Sequence, residues 1–404
     1  MNAIAPDRPS TADARAYRLV SLDVLRGLVL VIMALDHVRD FMMVAAAQDP
    51  MSDPNIGVVL FLTRWITHFC APVFVFLAGA SAGLMTRRRP PAALCRFLLA
   101  RGAWLIVVEW FVMSTAFTFS PGGLPQLGGR ILIGLQVIWA IGASLIVLAG
   151  VQFLGKRAAL LIGAAILLGH NLLDPVWPVT NLFDSTAPLW AGLHSQIGHV
   201  FGPYYVASIY PLLPWTGVML LGYGASPLFD GAADARRRRL LTWGLILTIS
   251  FVALRLSGAY GDPNPWTTHP RVTATIIDIL NTTKYPASLL FLLMTLGPAA
   301  LFCAVADRLP AAVARPLVTF GRVPFAFYVA HFYAVHAMAV ALGAAQGFDP
   351  RQFFTFVFYF PKGYGVSLPA VYLAWALLVT ALYPLCRWVA HVKARRHDWW
   401  LSYV

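Results

Sequence analysis

The sequence predicts an all-α fold, a polytopic membrane helix bundle of about ten transmembrane helices with both termini cytoplasmic, on three observations. Of the 404 residues, 59% are hydrophobic and only 12% charged, and the mean hydropathy is +0.70, too apolar for a soluble chain of this length. Apolar runs long enough to cross a bilayer follow one another so evenly that one membrane domain, residues 20–392, is expected between tails at 1–19 and 393–404. Cations also alternate from one connecting loop to the next, the topological signature of membrane insertion.

The spans are expected near residues 20–41, 58–85, 97–117, 131–152, 158–173, 204–225, 240–257, 286–306, 318–342 and 368–390. Residues 1–19 are polar, and the run that follows is too long for a signal-peptide core, so the first span reads as an uncleaved signal-anchor. With the N-terminus inside, the cytoplasmic loops hold Arg87, Arg88 and Arg89 with Arg96 and Arg101, then Lys156 and Arg157, the arginines 236–239, Arg308 and Arg315, and the basic tail 393–396. The opposite loops are poorer in cations. Pro211 and Pro214 are expected to interrupt the span at 204–225. Gly79 and Gly83 form a small-xxx-small pair, read as close helix packing. The aromatic tract 353–360 is too short to cross and is expected to lie flat or re-enter.

Several function classes drop out. The net charge of +13 lies in short tracts between apolar runs, the pattern of membrane topology and not of a nucleic-acid surface. Cys70, Cys95, Cys303 and Cys386 give neither a disulfide framework nor a zinc spacing. No nucleotide-binding glycine loop, nucleophile-elbow serine or His-Glu-x-x-His pair is present.

The first span carries Asp23, Arg26, Asp36 and His37. Asp23, Arg26 and His37 share a helix face, because eleven and fourteen residues are both close to whole turns. His37 lies roughly 16 Å beyond Arg26 along the axis, so a cation sits near one boundary and an imidazole towards the other. Charges at that depth are costly unless they face a bundle interior or a wet cavity. Two readings stay open: a site, or an Asp23–Arg26 ion pair that specifies the fold, with His37 hydrogen-bonded at the outer interface.

Later spans add Arg64 and His68, then Glu109, then Lys284 with Tyr285, then Arg322, His331 and His336. Each alone fits packing; together they point to several spans converging on one cavity. The chemistry that remains is a histidine general base with Asp, Arg and Lys to orient it and stabilise charge, which suits acyl transfer from a thioester to a hydroxyl or amine. His37 or His68, near Asp36, would take the acceptor's proton or briefly carry the acyl group. A basic mouth at Arg26, or at the loops 87–101 and 236–239, suits coenzyme A phosphates, although the same cations serve as topology determinants. In the outer loop 174–203, Trp177 and Trp190 offer rings to the C–H faces of a sugar, or anchor the interface. Rival readings are a transporter or flippase with a buried ionisable pathway, and a catalytically inert scaffold.

The blocks SLDVLRGLVLVIMALDHVRDF, TRWITHFCAPVFVFLAGASAG, YPLLPWTGVMLLGYG, LNTTKYPASLLFLLMTLGP, FGRVPFAFYVAHFY and RRHDWWLSYV resemble, over nearly the whole chain, bacterial membrane proteins related to heparan-alpha-glucosaminide N-acetyltransferase. The first span is also similar to the bacterial membrane O-acyltransferases, whose motif is a basic residue, ten intervening residues and a histidine; Arg26 and His37 fit that spacing. The resemblance implies a protein of the bacterial inner membrane. Acetyl-coenzyme A, or another acyl-coenzyme A, would come from the cytosol, and a saccharide-like acceptor would be modified on the far side, without a metal. Its partners would be the bilayer, the acyl donor and the acceptor, with no nucleic acid; a homo-oligomer stays open. On that resemblance His37 is the essential histidine and His68 the second candidate. Arg26 and Arg322 would meet the donor, and Lys284, His331 and Trp190 the acceptor. One departure stands out: the lysosomal enzyme uses a histidine in the loop after this first span, and residues 38–57 here contain none. Where that enzyme has an aspartate before the APVFVFLAG segment, this chain has His68, so an acetylated-histidine role does not carry over.

Overall fold

The computed structural model describes residues 20–44, 56–178, 180–396, 398 and 401. The expected tail at 1–19, with its signal-anchor boundary, and the end of the tail at 393–404 lie outside the described residues. The chain is an all-α membrane bundle with a small sheet capping one end.

The first helix, α1 (Val20–Met42), is buried along most of its length and forms the axis. Then come α2 (Val58–Thr67), α3 (Cys70–Met85) and α4 (Pro91–Val108), the last running on through a π-turn at Glu109–Met113 to Thr118. The expected second span is therefore two helices. Pro72, in the first turn of α3, has no N–H to return to the His68 carbonyl and crowds it, so the chain resets there. α5 (Val137–Val151) and α6 (Gly155–Gly169) are separated at Gly155, whose φ is +88°. Beyond them lie α7 (Leu212–Gly224), α8 (Ala233–Ser257), α9 (Val272–Leu280), α10 (Leu289–Val305), α11 (Ala311–Arg322), α12 (Pro324–Ala345) and α13 (Leu368–Arg395).

Seven helical stretches among the described residues are long and apolar enough to cross a membrane: Val58–Met85, Pro91–Thr118, Val137–Leu173, Ala233–Ser257, Leu289–Arg308, Pro324–Ala345 and Leu368–Arg395. Their outward faces present bare hydrocarbon, as at Phe111, Leu161, Ile249, Leu373 and Trp388, where lipid takes the place of water.

Three expected spans are corrected. Residues 131–135 are strand β1 (Ile131–Leu135), and the run at 204–225 opens as strand β3 (Tyr204–Ser208), which pairs in parallel with β1 and antiparallel with β2 (Ile197–Phe201). Short apolar runs abutting a helix carry no periodicity that separates strand from helix. Pro211 caps α7 and Pro214 sits in its first turn, where an amide N–H has no partner to lose; the prolines start this helix and do not break it. The span expected at 318–342 is divided between α11 and α12 at Val323.

Small residues bring the helix backbones together. A Cβ on Gly79 would lie 2.1 Å from the Met219 carbonyl oxygen, so α3 and α7 touch at the expected small-residue pair. A Cβ on Gly27 would lie 1.9 Å from the Leu317 oxygen, and one on Gly321 1.9 Å from the Asp23 oxygen, so α1 and α11 meet backbone to backbone. The basic loops gather at one end of the bundle, where Arg87 pairs with Asp230 at 2.5 Å and Arg236 with Asp307 at 2.9 Å. The tract 353–360 turns back into the opposite end, with Phe353 fully buried.

Candidate active site

Two of the hollows that α1 helps to wall adjoin each other. The one toward the sheet end, about 360 Å³, is walled by Asp36, His37, Arg39, Arg64, Lys284 and Tyr285, among others, and roofed by Phe356, Val357 and Phe358. The one toward the basic end, about 380 Å³, is walled by Arg26, Ser81, Phe97, Arg101, Phe325 and Lys393. Phe74, Val137 and Tyr328 line both, so these side chains form the septum between them. The helical repeat that placed Arg26 and His37 on one face therefore places them in successive hollows.

His37 is held from behind. His331, fully buried on α12, has Nδ1 3.0 Å from the Phe327 carbonyl oxygen. A carbonyl only accepts, so the proton of a neutral His331 sits on Nδ1 and its Nε2 offers a lone pair. That Nε2 lies 2.7 Å from Nδ1 of His37, which must then donate. His37 is left with an unprotonated Nε2, and among the described residues this atom has no hydrogen-bond partner. The imidazole is clamped between His331 and Phe332, with ring centroids 5.0 and 4.1 Å away. This is the geometry of an oriented base, with a third group fixing the tautomer of the second.

The carboxylate of Asp36 does not serve His37 directly. Both its oxygens take Nη1 of Arg64, at 2.9 and 3.2 Å, and Arg39 closes on it at 3.0 Å. The result is a buried cluster of alternating charge on the wall of the sheet-end hollow. Lys284 lines the same hollow, its ammonium 5.2 Å from the Tyr285 ring. Its loop is pinned by Asp262, which accepts from the Thr283 amide and from the Ser288 hydroxyl at 2.8 and 2.7 Å.

In the basic-end hollow Arg26 both pairs and points. It reaches Asp23 at 3.2 Å, Ser81 Oγ at 3.3 Å and the Gly321 carbonyl at 3.4 Å. The ion-pair reading and the site reading thus describe one side chain. Arg101 lies over the Phe325 ring at 5.7 Å.

Four of the sequence candidates lie outside these walls. His68 is 2% exposed, edge-on to Phe291, and lines neither hollow. Arg322 ends α11 exposed to solvent. Trp190 is half exposed and stacks edge-on with Trp177 in the long loop before β2, where His194 bonds Asp174 at 2.8 Å. His331 sits behind His37 and lines neither hollow. Sequence reasoning missed Tyr328 and Lys393. Tyr328 carries a legible signal, three residues before His331 and hence on the same helix face; Lys393 reads as one more cation in a basic tail. Among the described residues no three His, Cys, Asp or Glu side chains gather in a way that could hold a metal ion.

A family model described as heparan-alpha-glucosaminide N-acetyltransferase, catalytic, matches residues 18–255. The matched stretch contains Arg26, Asp36, His37 and Arg64 and ends before Lys284, Tyr328 and His331. A comparison with curated proteins finds no match.

Proposed function

The chain belongs to the heparan-alpha-glucosaminide N-acetyltransferase catalytic family, and from that premise we propose that it moves an acetyl or other short acyl group across the membrane. The donor is a cytosolic acyl-coenzyme A, and the acceptor is a hydroxyl or amine of a saccharide-like molecule on the far side, with the basic end of the bundle facing the cytoplasm. The observation that carries this reading is the hydrogen-bond chain from Phe327 through His331 to His37, which leaves a lone pair on His37 Nε2.

The division into two hollows suits the task. A coenzyme A thioester is too polar to enter hydrocarbon, but its narrow arm can reach the septum from the basic end while the phosphates stay with Arg101, Lys393 and Arg26. The acceptor enters beside Lys284 and the Asp36–Arg64 cluster. His37 Nε2 takes the acceptor's proton as its oxygen or nitrogen attacks the thioester carbon. The carbon–sulfur bond then breaks, and the proton passes to the departing sulfur. Base assistance of this kind contributes about 10²–10⁴-fold, and positioning adds to it.

The test is purified protein in detergent with radiolabelled acetyl-coenzyme A. His37→Ala should keep the fold and bind the label while losing transfer by at least about 10²-fold. Turnover like that of the wild type in this variant would remove His37 from the mechanism. Label that binds but is never transferred to any offered amine or alcohol would favour a transport path through the same hollows.

A further inference from the structure

Resting on that reading of the site, we infer that the Tyr328 hydroxyl donates a hydrogen bond to the carbonyl oxygen of the acyl group under transfer, so that the reaction takes place at the septum.

Tyr328 is the one member of the shared wall whose side chain carries a hydrogen-bond donor; Phe74 and Val137 supply hydrocarbon alone. Its side chain is 6% exposed, and among the described residues its hydroxyl has no hydrogen-bond partner. A hydroxyl that lines both hollows without a protein partner is available to a ligand that supplies an acceptor atom. The other tyrosines of the outer hollow are committed to each other, Tyr210 being hydrogen-bonded to Tyr285 with ring centroids 5.4 Å apart.

The ring is also placed with respect to the base. Tyr328 and His331 are three residues apart on α12, edge to face at 5.7 Å, and Tyr328 meets Phe332 at 5.2 Å. Phe332 and His331 are the two rings that clamp His37. One helix turn therefore fixes both the base and the donor.

The step balances. Acceptor oxygen or nitrogen bonds to the thioester carbon, and the carbonyl π pair moves onto oxygen, where Tyr328 O–H stabilises it. That pair returns as the carbon–sulfur bond breaks and sulfur leaves with its electrons. The proton held by His37 completes the free thiol. A preorganised donor of this kind contributes most when charge develops on the oxygen.

The test uses Tyr328→Phe in the full-length protein, with acetyl-coenzyme A and glucosamine as probes and thiol release as the readout, which counts transfer and hydrolysis alike. Tyr328→Phe should lower kcat by about 10²–10³-fold, leave the Kd for acetyl-coenzyme A within about twofold, and unfold at the wild-type temperature. A wild-type kcat, or lost binding with kcat retained, would overturn the assignment, as would a wild-type protein that releases no thiol. His37→Ala run beside it separates the two claims. An impaired His37→Ala with a normal Tyr328→Phe refutes the donor and keeps the base, and the reverse pattern refutes the base and keeps the donor.

Discussion

Nε2 of His331 lies 2.7 Å from Nδ1 of His37, and the far nitrogen of His331 is already spent on the Phe327 carbonyl at 3.0 Å. The direction of the first bond is thereby fixed by the second. On the proposed reading His331 is a positioning residue: its removal leaves His37 free to rotate and to change tautomer.

His331→Ala should lower transfer by about 10–10²-fold without changing the affinity for acyl-coenzyme A. His331→Gln, which can present an amide oxygen to His37 Nδ1, should recover part of the loss. The double variant His37→Ala/His331→Ala should be no slower than His37→Ala alone, since two residues that act as a unit are not additive. Single-turnover rates of the wild type and these four variants check all three statements.

Arg64 compensates a buried charge. Arg64→Ala strands the Asp36 carboxylate with Arg39 alone and should cost about 3 kcal/mol of stability. Asp36→Asn/Arg64→Gln should regain most of it, because no unpaired charge then remains. Thermal unfolding in detergent reads both outcomes.

The cations of the basic-end hollow should act on donor affinity. Arg101→Ala and Lys393→Ala should each raise the Kd for acetyl-coenzyme A by about 5–10-fold, more at low salt than at high, while the rate at saturating donor changes little. Arg26→Ala should weaken donor binding more than acceptor binding. Equal effects on the two ligands would reduce Arg26 to the structural partner of Asp23. Titration at two ionic strengths distinguishes these cases.

One pH response is local to the outer loop. Burial pushes the Asp174 carboxyl up, but hydrogen bonds from His194 and Asn171 outweigh it and hold the group below the usual aspartate range. A carboxyl depressed in the folded state adds stability that is present above the ordinary aspartate pKa and lost as pH falls through the folded value. Protease cleavage within 174–203 should therefore accelerate at strongly acid pH, and Asp174→Asn should abolish that dependence.

Much of the architecture was legible because hydrocarbon length and cation placement are properties of composition. The Arg26–His37 face was legible for a simpler reason: helical repeat alone fixes it. The ends of elements were less so. Ile131–Leu135 pairs with Tyr204–Ser208 across about seventy residues of chain, and local periodicity holds no trace of so distant a partner. The site shows the same limit. That His331 would stand behind His37 depends on how α12 rotates against α1, which packing at Phe327 and Phe332 decides. His68, equally promising as a letter, turns toward Phe291 because the chain resets at Pro72.

The wall shared by the two hollows at Phe74, Val137 and Tyr328 also bears on bioenergetics. Where solution fills both hollows, the membrane voltage falls mainly across this wall and not over roughly 30 Å of lipid. In the proposed transfer a proton moves inward to sulfur while an acyl group moves outward to the acceptor, each side keeping its charge, so no net charge crosses that voltage. The equilibrium of the proposed reaction is then the same in an energised and in a depolarised membrane.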